Sequence, residues 1–456
     1  MNPSVVNGPP PHTNAEVEVL IIGAGACGLT AALRAHHVGR DVLVLERDQT
    51  PTGSTSLSSG FVPAPDTRFQ RAINVEDTAD QFCADIMAKS HDTSDPALAR
   101  LAADNIAPAI EWLADHAGLE WIVLDDFLYP GHSRHRMHAV PEKTGAALQA
   151  RLLAAAADIP IATNARATTL YRTGDRITAV GVGRGDRVEI IACSDLILAC
   201  NGFGGNPDLV ATHIPEIADG PYFGHTGNTG DAVIWGEALG ADLLHLSGYQ
   251  GHGSVAHPHG VLITWALMME GGIQLNSEGR RFSNEHLGYS EQGPHVLAQP
   301  GGVAWDAYDQ RIHDFAMKGF PDYRDAHAAG AVKTAKTVAD LAILIGAPDA
   351  AVEETLKACA ALPAASTDPF GRDFSKGRAL TPPYYAIKVT GALFHTQGGL
   401  RIDDNARVVT ADGPFKNLYA GGGAACGVSG PDVSGYLSGN GLLTALAFGY
   451  LAGGHV

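Results

Sequence analysis

Residues 16–48, EVEVLIIGAGACGLTAALRAHHVGRDVLVLERD, decide the fold. EVEVLII (Glu16–Ile22) is a short apolar run with strand character. It passes directly into GAGACG and then LTAALRAHHVG, where Leu29, Leu33 and the alanines have helical spacing. DVLVLERD follows as a second apolar strand. The three glycines Gly23, Gly25 and Gly28 sit at the strand-to-helix turn, and Glu46 closes the second strand eighteen positions after Gly28. The pattern is a βαβ unit: a tight turn, a backbone bare enough to approach a pyrophosphate, and a helix N-terminus offering its N–H groups to that anion. Glu46 is placed to accept hydrogen bonds from an adenosine ribose. A lone GxGxxG is weak; with strand, helix, second strand and acid in order, it predicts dinucleotide binding.

Downstream, PTGSTSLSSGF (Pro51–Phe61) supplies small and hydroxylated residues suited to wrapping the ribityl-pyrophosphate of a long cofactor, or else a surface linker. LRIDDNARVV (Leu400–Val409) predicts a strand pair. It is followed by KNLYAGGGAACG and by SGNGLLTALAFGYLAG, a glycine-flanked helix whose N-terminus could face a flavin edge. Strand-like runs in Thr168–Gly204 extend the same sheet. Residues 239–376 change to mixed helix and irregular chain. The expected organisation is α/β: a disordered tail at 1–15, a split Rossmann-like dinucleotide-binding domain at 16–238 and 377–456, and an inserted α+β domain at 239–376 between them.

Composition bounds the function. The chain has 456 residues, 54 of them glycine, and a net charge of −18. Glycine at about 12% exceeds the usual ~7% without any Gly-X-Y period, so many close backbone approaches are expected. The negative field disfavours nucleic acid and anionic membrane surfaces, and no apolar run reaches the ~18 residues of a bilayer span. The N-terminus lacks the pattern of a secretory signal. The six cysteines lack metal-type or CxxC spacing, so no metal site and a reduced, cytoplasmic protein are expected.

With those residues in hand, the chain resembles the fumarate reductase / 3-ketosteroid dehydrogenase flavoproteins. The motifs run nearly the whole length: VLIIGAGACGLTAAL, GSTSLSSGF, NTGDAVIWGEALGADL, NSEGRRFSNE, FHTQGGLRIDDNARVV and GNGLLTALAFGYLAG. The resemblance implies FAD, a cap closing over the isoalloxazine, and hydride transfer between flavin N5 and a carbon near an activating carbonyl. It assigns the cofactor to Gly23, Gly25, Gly28, Glu46, Arg47, Gly53, Ser54, Thr55, Ser59, Gly60, Asn201, Gly202, Asp231, Gly422, Asn440 and Leu442. Asp231, in Thr-Gly-Asp, is expected as a helix-capping or structural acid rather than a catalyst. Covalent attachment in the family uses a histidine near Ser54–Ser56; none is present, which implies non-covalent FAD. Where the family carries Ala-Gly-Glu, with the acid holding the ribityl chain, this chain has Gly421-Gly422-Gly423.

The substrate positions depart from the fumarate reductase pattern in one direction. Gln250-Gly251-His252 matches its Gln-x-His segment. Its Thr-Glu becomes Thr264-Trp265, and its arginine acid four residues after Asn284-Glu285 becomes Tyr289. His-His-Thr becomes Phe394-His395-Thr396, and Tyr436 occupies the arginine-clamp segment GPDVSGYLSGNG. A dicarboxylate needs fixed cations. Aromatic walls with phenol tips suit an apolar cyclic ketone. Tyr289 and Tyr436-Leu437-Ser438-Gly439 also match the base and the carbonyl-polarising tyrosine of ketosteroid dehydrogenases. The resemblance therefore implies that Tyr289 removes an α-proton, assisted by His252 or His286. Tyr436 and a backbone N–H near Gly439 stabilise an enolate, and His252, Thr264, Trp265, Phe394 and Ser438 contact a steroid-like or cyclohexanone-type ketone. An external electron acceptor is implied, because the chain holds no CxxCH or Fe–S cysteine set. Reduction of an activated alkene or unsaturated acid is the alternative direction, and a flavin-binding redox partner or sensor the non-enzymatic one. His132–His138 (HSRHRMH) is either a loop near the flavin or a solvated basic loop, with Arg134 or Arg136 available to a substrate carboxylate.

Overall fold

The computed structural model describes every residue except 1, 186, 362–367 and 375–377. The chain forms two compact units. The nucleotide unit comprises Met1–His213, Gly224–Tyr249 and His395–Val456; the inserted unit comprises Ile214–Phe223 and Gln250–Phe394.

In chain order the nucleotide unit begins with β1 (Ser4–Asn7), β2 (Ala15–Ile22), α1 (Ala26–His37) and β3 (Val42–Leu45). It continues through β4 (Ile161–Ala162), β5 (Arg166–Thr173), β6 (Arg176–Arg184) and β7 (Arg187–Leu198). The inserted unit holds β8 (Tyr249–Ala256, whose first residue belongs to the nucleotide unit), β9 (Val261–Leu262) and β10 (Ile273–Leu275). Then come α2 (Tyr289–Leu297), β11 (Val303–Asp309), β12 (Val332–Ala335) and β13 (Tyr384–Thr396, whose last two residues belong to the nucleotide unit). The chain returns as β14 (Arg407–Thr410), β15 (Gly413–Ala420) and α3 (Asn440–His455).

The nucleotide unit is built on a nine-stranded sheet ordered β1-β5-β6-β7-β2-β3-β4, with β15 also pairing β7 and β14 pairing β15. The last four residues of β2 are all buried, as expected for a central parallel strand covered on both faces. The sheet's parallel core is in one register: Ile22 lies opposite Leu198 of β7 and Leu45 of β3, and Leu198 lies opposite Ala420 of β15. The carboxyl ends of four strands therefore form a single row, from which Gly23–Gly28, Glu46, Cys200–Gly205 and Gly421–Gly423 all emerge. That edge is where ligands bind in open α/β sheets.

Helix α3 closes the unit against α1 at very short range. A Cβ on Gly449 would sit 2.5 Å from the Cys27 carbonyl oxygen, and one on Gly453 would overlap the Ala31 carbonyl. The inserted unit has its own six-stranded sheet, ordered β9-β8-β13-β11-β10 with β12 on β13, over an apolar core that includes Trp265, Met268, Tyr308 and Ile387.

Three expectations differ from the structure. Residues 1–15 are not a disordered tail: Ser4–Asn7 pairs in parallel with Thr169–Arg172, and Asn14 exchanges hydrogen bonds with Ile190. The inserted unit begins at Gln250 rather than 239, because Leu243–Leu244 pairs with Gly399–Leu400 of the nucleotide unit. Its end lies at Phe394, because β13 is central to the inserted sheet; the expected boundary at 376 lies outside the described residues. It also recruits Ile214–Phe223, where the Phe223 N–H donates to the Leu393 carbonyl.

Candidate active site and cofactor cradle

At the carboxyl edge of the nucleotide sheet, Gly23 has φ +108°, and a Cβ there would overlap the Ala199 carbonyl. A Cβ on Gly28 would overlap the carbonyl of Gly23. Helix α1 starts at Gly25 without a side-chain cap, and its first N–H, that of Ala26, donates to Thr55 Oγ1 at 2.9 Å. Glu46 is oriented by two backbone donors, Ala24 N–H at 3.1 Å and Asp48 N–H at 3.0 Å. Arg47 donates to the Gly227 carbonyl at 2.5 Å. Gly53 is open, a Cβ there meeting nothing within 4 Å, while Gly60 packs on Thr144 and Ser59 is exposed.

The family's missing acid has a local explanation. A Cβ at Gly423 would overlap Asn201 Oδ1. Asn201, at φ +66°, turns its side chain back so that Oδ1 accepts from the Gly202 N–H at 2.8 Å and Nδ2 donates to Ser54 Oγ at 2.9 Å. Asn228 donates to the same hydroxyl at 2.8 Å. Asparagine tolerates this left-handed backbone better than most residues. Sequence reasoning placed Asn201 but not Asn228, whose only signal was its place in NTGDAV.

Helix α3 starts at Gly439, also without a side-chain cap. Asn440 is fully buried, and its Oδ1 has no hydrogen-bond partner among the described residues. Leu442 and Gly422 are buried beside it. Two uncapped helix N-termini, an oriented acid at the end of β3 and an unpartnered buried acceptor fit FAD: dipole and N–H groups for its anionic portions, Glu46 for its ribose. Asp231 instead accepts from Thr229 Oγ1 at 2.8 Å and faces Arg166 at 3.5 Å, so its contacts are structural.

Also in the nucleotide unit, Tyr436 is 7% exposed and meets the His395 ring edge-on, centroids 5.4 Å apart. Ser438 offers its carbonyl to His132 Nε2 at 3.0 Å, and burial pushes His132 down to about 4, leaving it neutral. Arg136 is not available to a substrate carboxylate. It is wholly buried, with Nε and Nη2 on the two oxygens of Asp77 (2.8 and 2.9 Å) and Nη1 on Asp85 at 2.5 Å. Arg134 is exposed and donates to the Ser133 carbonyl.

In the inserted unit, residues from four separate segments converge. His252 on β8 stacks on Tyr289 at the start of α2, centroids 5.0 Å apart and planes 24° apart. It meets Trp265 edge-on at 6.0 Å and Phe394 at 5.4 Å. Phe394 stacks on Phe223 at 5.3 Å, a partner with no local signal in its segment. Burial pushes His252 down to about 3, so it is neutral; its Nδ1 accepts from the Ser254 N–H at 3.1 Å, which puts its proton on Nε2. His286 is turned elsewhere, its Nε2 on the Met268 carbonyl at 3.1 Å. The Thr264 hydroxyl accepts from Ala266 N–H at 3.3 Å, in the turn that sets Trp265.

Buried Glu285 fixes the turn before α2. It pairs with Arg281 at 2.6 Å and Arg372 at 3.0 Å, and it accepts from Gln274 N–H. Burial pushes its carboxyl up, but the two guanidinium groups outweigh that and hold it below the usual range. Trp265 Nε1 donates to the Glu285 carbonyl at 3.1 Å. Arg281 is further tied to Asp368, so neither buried arginine of this unit is free for a carboxylate ligand. Among the described residues no group of three His, Cys, Asp or Glu side chains could hold a metal ion, and no helix is long and apolar enough to cross a membrane.

A sheet with a parallel core, a glycine-lined carboxyl edge and a helix N-terminus at that edge marks a dinucleotide-binding protein. The FAD binding domain family matches residues 18–442. The chain belongs to that family and is an FAD-dependent oxidoreductase of the fumarate reductase superfamily. It is 28% identical to a probable fumarate reductase of Shewanella frigidimarina, over 96% of this chain and 74% of that one. It is 24% identical to 4-oxocyclohexanecarboxylate 2-dehydrogenase of Sinomonas cyclohexanicum, over 96% of this chain and 92% of that one. In structure it is similar to 3-ketosteroid-Δ4-(5α)-dehydrogenase of Rhodococcus jostii RHA1 (TM-score 0.78, 22% identity), over 98% of this chain and 97% of that one.

Proposed function

We propose that this flavoprotein introduces a C=C bond α,β to the carbonyl of a saturated cyclic ketone, of steroid or cyclohexanone type. The observation that carries the reading is the cluster of His252, Tyr289, Trp265 and Phe394 in the inserted unit. Its ring edges are apolar, its histidine is neutral, and the neighbouring arginines are consumed by Glu285 and Asp368. Such a surface buries ring hydrocarbon and lacks the cations a dicarboxylate demands. Similarity to a dehydrogenase of a cyclohexanone acid accords with this choice.

In this mechanism the Tyr436 hydroxyl and the Gly439 N–H donate to the substrate carbonyl oxygen, spreading the charge of the enolate. Tyr289, as its phenolate, takes the α-proton as general base. An ordinary tyrosine ionises near ~10, so Tyr289 relies on the acidity conferred at the α-carbon; the stacked His252, neutral and with Nδ1 already accepting, takes no proton from the phenol. FAD, which Glu46 and the N-termini of α1 and α3 would hold, would supply the two-electron acceptor for the β-hydrogen and its electron pair, with an external acceptor needed to close the balance. FAD is held without a covalent bond, and acid precipitation should leave it in the supernatant. All six cysteines are free thiols, which accords with a reducing, cytoplasmic setting.

The test is anaerobic mixing of the oxidised protein with saturated cyclic ketones. Flavin bleaching is expected, and Tyr289→Phe should keep its FAD yet bleach at least a hundredfold more slowly, within the range of a lost general base. The fumarate-reductase relatives favour a second reading, reduction of an unsaturated acid. Reoxidation of the reduced protein by such acids, with no bleaching by any ketone, would replace the first reading with the second.

A further inference from the structure

His395 has no part in the roles above, yet a chain of hydrogen bonds fixes which of its nitrogens carries the proton. Asn440 Nδ2, at the start of α3, donates to Ser429 Oγ at 2.9 Å, and the Ser429 hydroxyl donates to Gln397 Oε1 at 2.7 Å. Gln397 Nε2 then lies 2.8 Å from His395 Nδ1. An amide nitrogen only donates, so Nδ1 is an acceptor. The Thr396 carbonyl lies 3.4 Å from the same nitrogen, beyond ordinary hydrogen-bond length, so the shorter contact decides. Burial pushes His395 down to about 4. A neutral ring whose Nδ1 accepts carries its hydrogen on Nε2.

That Nε2–H has no hydrogen-bond partner among the described residues. It faces the first turn of α3, where a Cβ on Gly441 would lie 3.2 Å from Nε2, and the ring borders Tyr436. A neutral N–H donor, locked in one tautomer and left over beside the phenol assigned to the carbonyl, is built to receive negative charge.

We propose that His395 is a third oxyanion donor: its Nε2–H, aimed by the Asn440–Ser429–Gln397 chain, hydrogen-bonds the substrate oxygen alongside Tyr436 and the Gly439 N–H. The inference rests on the ketone reading of Tyr436. In the enolate the oxygen carries most of the negative charge, and a further donor stabilises it more than it stabilises the neutral ketone. A phenolate imitates that oxygen on a ring.

The probe is 4-nitrophenol, whose spectrum separates phenol from phenolate, titrated into the oxidised FAD-loaded protein beside neutral cyclohexanone. The parent protein should bind the phenolate preferentially. His395→Phe should weaken phenolate binding about tenfold or more, as expected for a lost hydrogen bond to a charged oxygen, with cyclohexanone affinity changed far less. Gln397→Leu, which frees the tautomer, should lower the phenolate preference in the same direction; it carries the test if His395→Phe does not fold. Equal weakening of both ligands, or none, overturns the proposal. So does a changed flavin midpoint potential with unchanged phenolate affinity, which would place the donor on the cofactor. Tyr436→Phe separates the two levels: if it leaves phenolate affinity intact, the ketone reading of Tyr436 itself fails. If only the His395 variants leave it intact, that reading stands without His395.

Discussion

Replacing Arg136 by methionine keeps most of the side chain's volume and removes its charge. In the structure that charge is wholly buried, over the ring of Phe82 at 4.6 Å, and makes three hydrogen bonds to Asp77 and Asp85. Asp77 has no exposed side-chain surface, so Arg136→Met strands a buried carboxylate that keeps only the weaker donors Gln70 Nε2, at 3.3 Å, and the Thr78 N–H. Breaking one partner of such a pair costs about 3–5 kcal/mol, a factor above roughly a hundred in the local unfolding constant. Arg136→Met combined with Asp77→Asn and Asp85→Asn should recover most of that loss, because no charge is then left unpaired. Hydrogen exchange by mass spectrometry reads the effect where it belongs, on residues 132–139, without assuming that the two units unfold together.

Asp85 adds a pH signature. Burial pushes its carboxyl up, but the Ser133 and Arg136 donors prevail and hold it below the usual range. A depressed folded value contributes stability that is complete above the unfolded pKa of ~3.9 and is lost as pH falls through the folded value. The parent segment should therefore open on acidification, and the triple variant should have a flatter acid limb. Unchanged exchange in Arg136→Met would refute the structural role, and loss of ketone binding with no change in exchange would return Arg136 to the substrate.

Two further outcomes test other parts of the fold. Gly28→Ala forces a methyl group into the Gly23 carbonyl; overpacking of this kind costs about 1–3 kcal/mol and should lower the flavin-to-protein ratio after gel filtration, so full flavin content would refute the close approach. Glu285→Gln leaves Arg281 and Arg372 short of their shared carboxylate, costing about 3 kcal/mol in urea unfolding. Because Glu285 is held low, its contribution is present above ~4.3 and lost below, so the variant and parent stabilities should converge as pH falls.

The βαβ stretch was legible because every cue in it is local: the strand, the glycines and the acid lie within 31 residues, Glu16 to Glu46. The aromatic replacements at 265, 289 and 394 were legible only as a register, and the fold supplied their meeting around His252. Whether Arg136 meets a ligand stayed open in the sequence because its two acids stand 59 and 51 residues away, a separation that no local pattern reveals. The domain boundaries shifted for the same reason, since Leu243–Leu244 stays with the nucleotide unit through a strand more than 150 residues later. The glycine surplus was only partly a cofactor signature. Gly449 and Gly453 serve the contact of α1 with α3, where backbone meets backbone and no side chain fits.

That contact sets an order on biosynthesis. The first βαβ element is synthesised before the inserted unit, whereas the strand β15 that flanks β7 and the 16-residue helix that covers α1 are synthesised after it. Until both arrive, Ala26, Cys27 and Ala31 lie bare beside a cofactor cradle missing one of its four strand ends. A nascent chain must therefore carry this surface through the synthesis of the whole inserted unit. Chains stopped short of α3 should be substrates for chaperones and proteases rather than partially active flavoproteins.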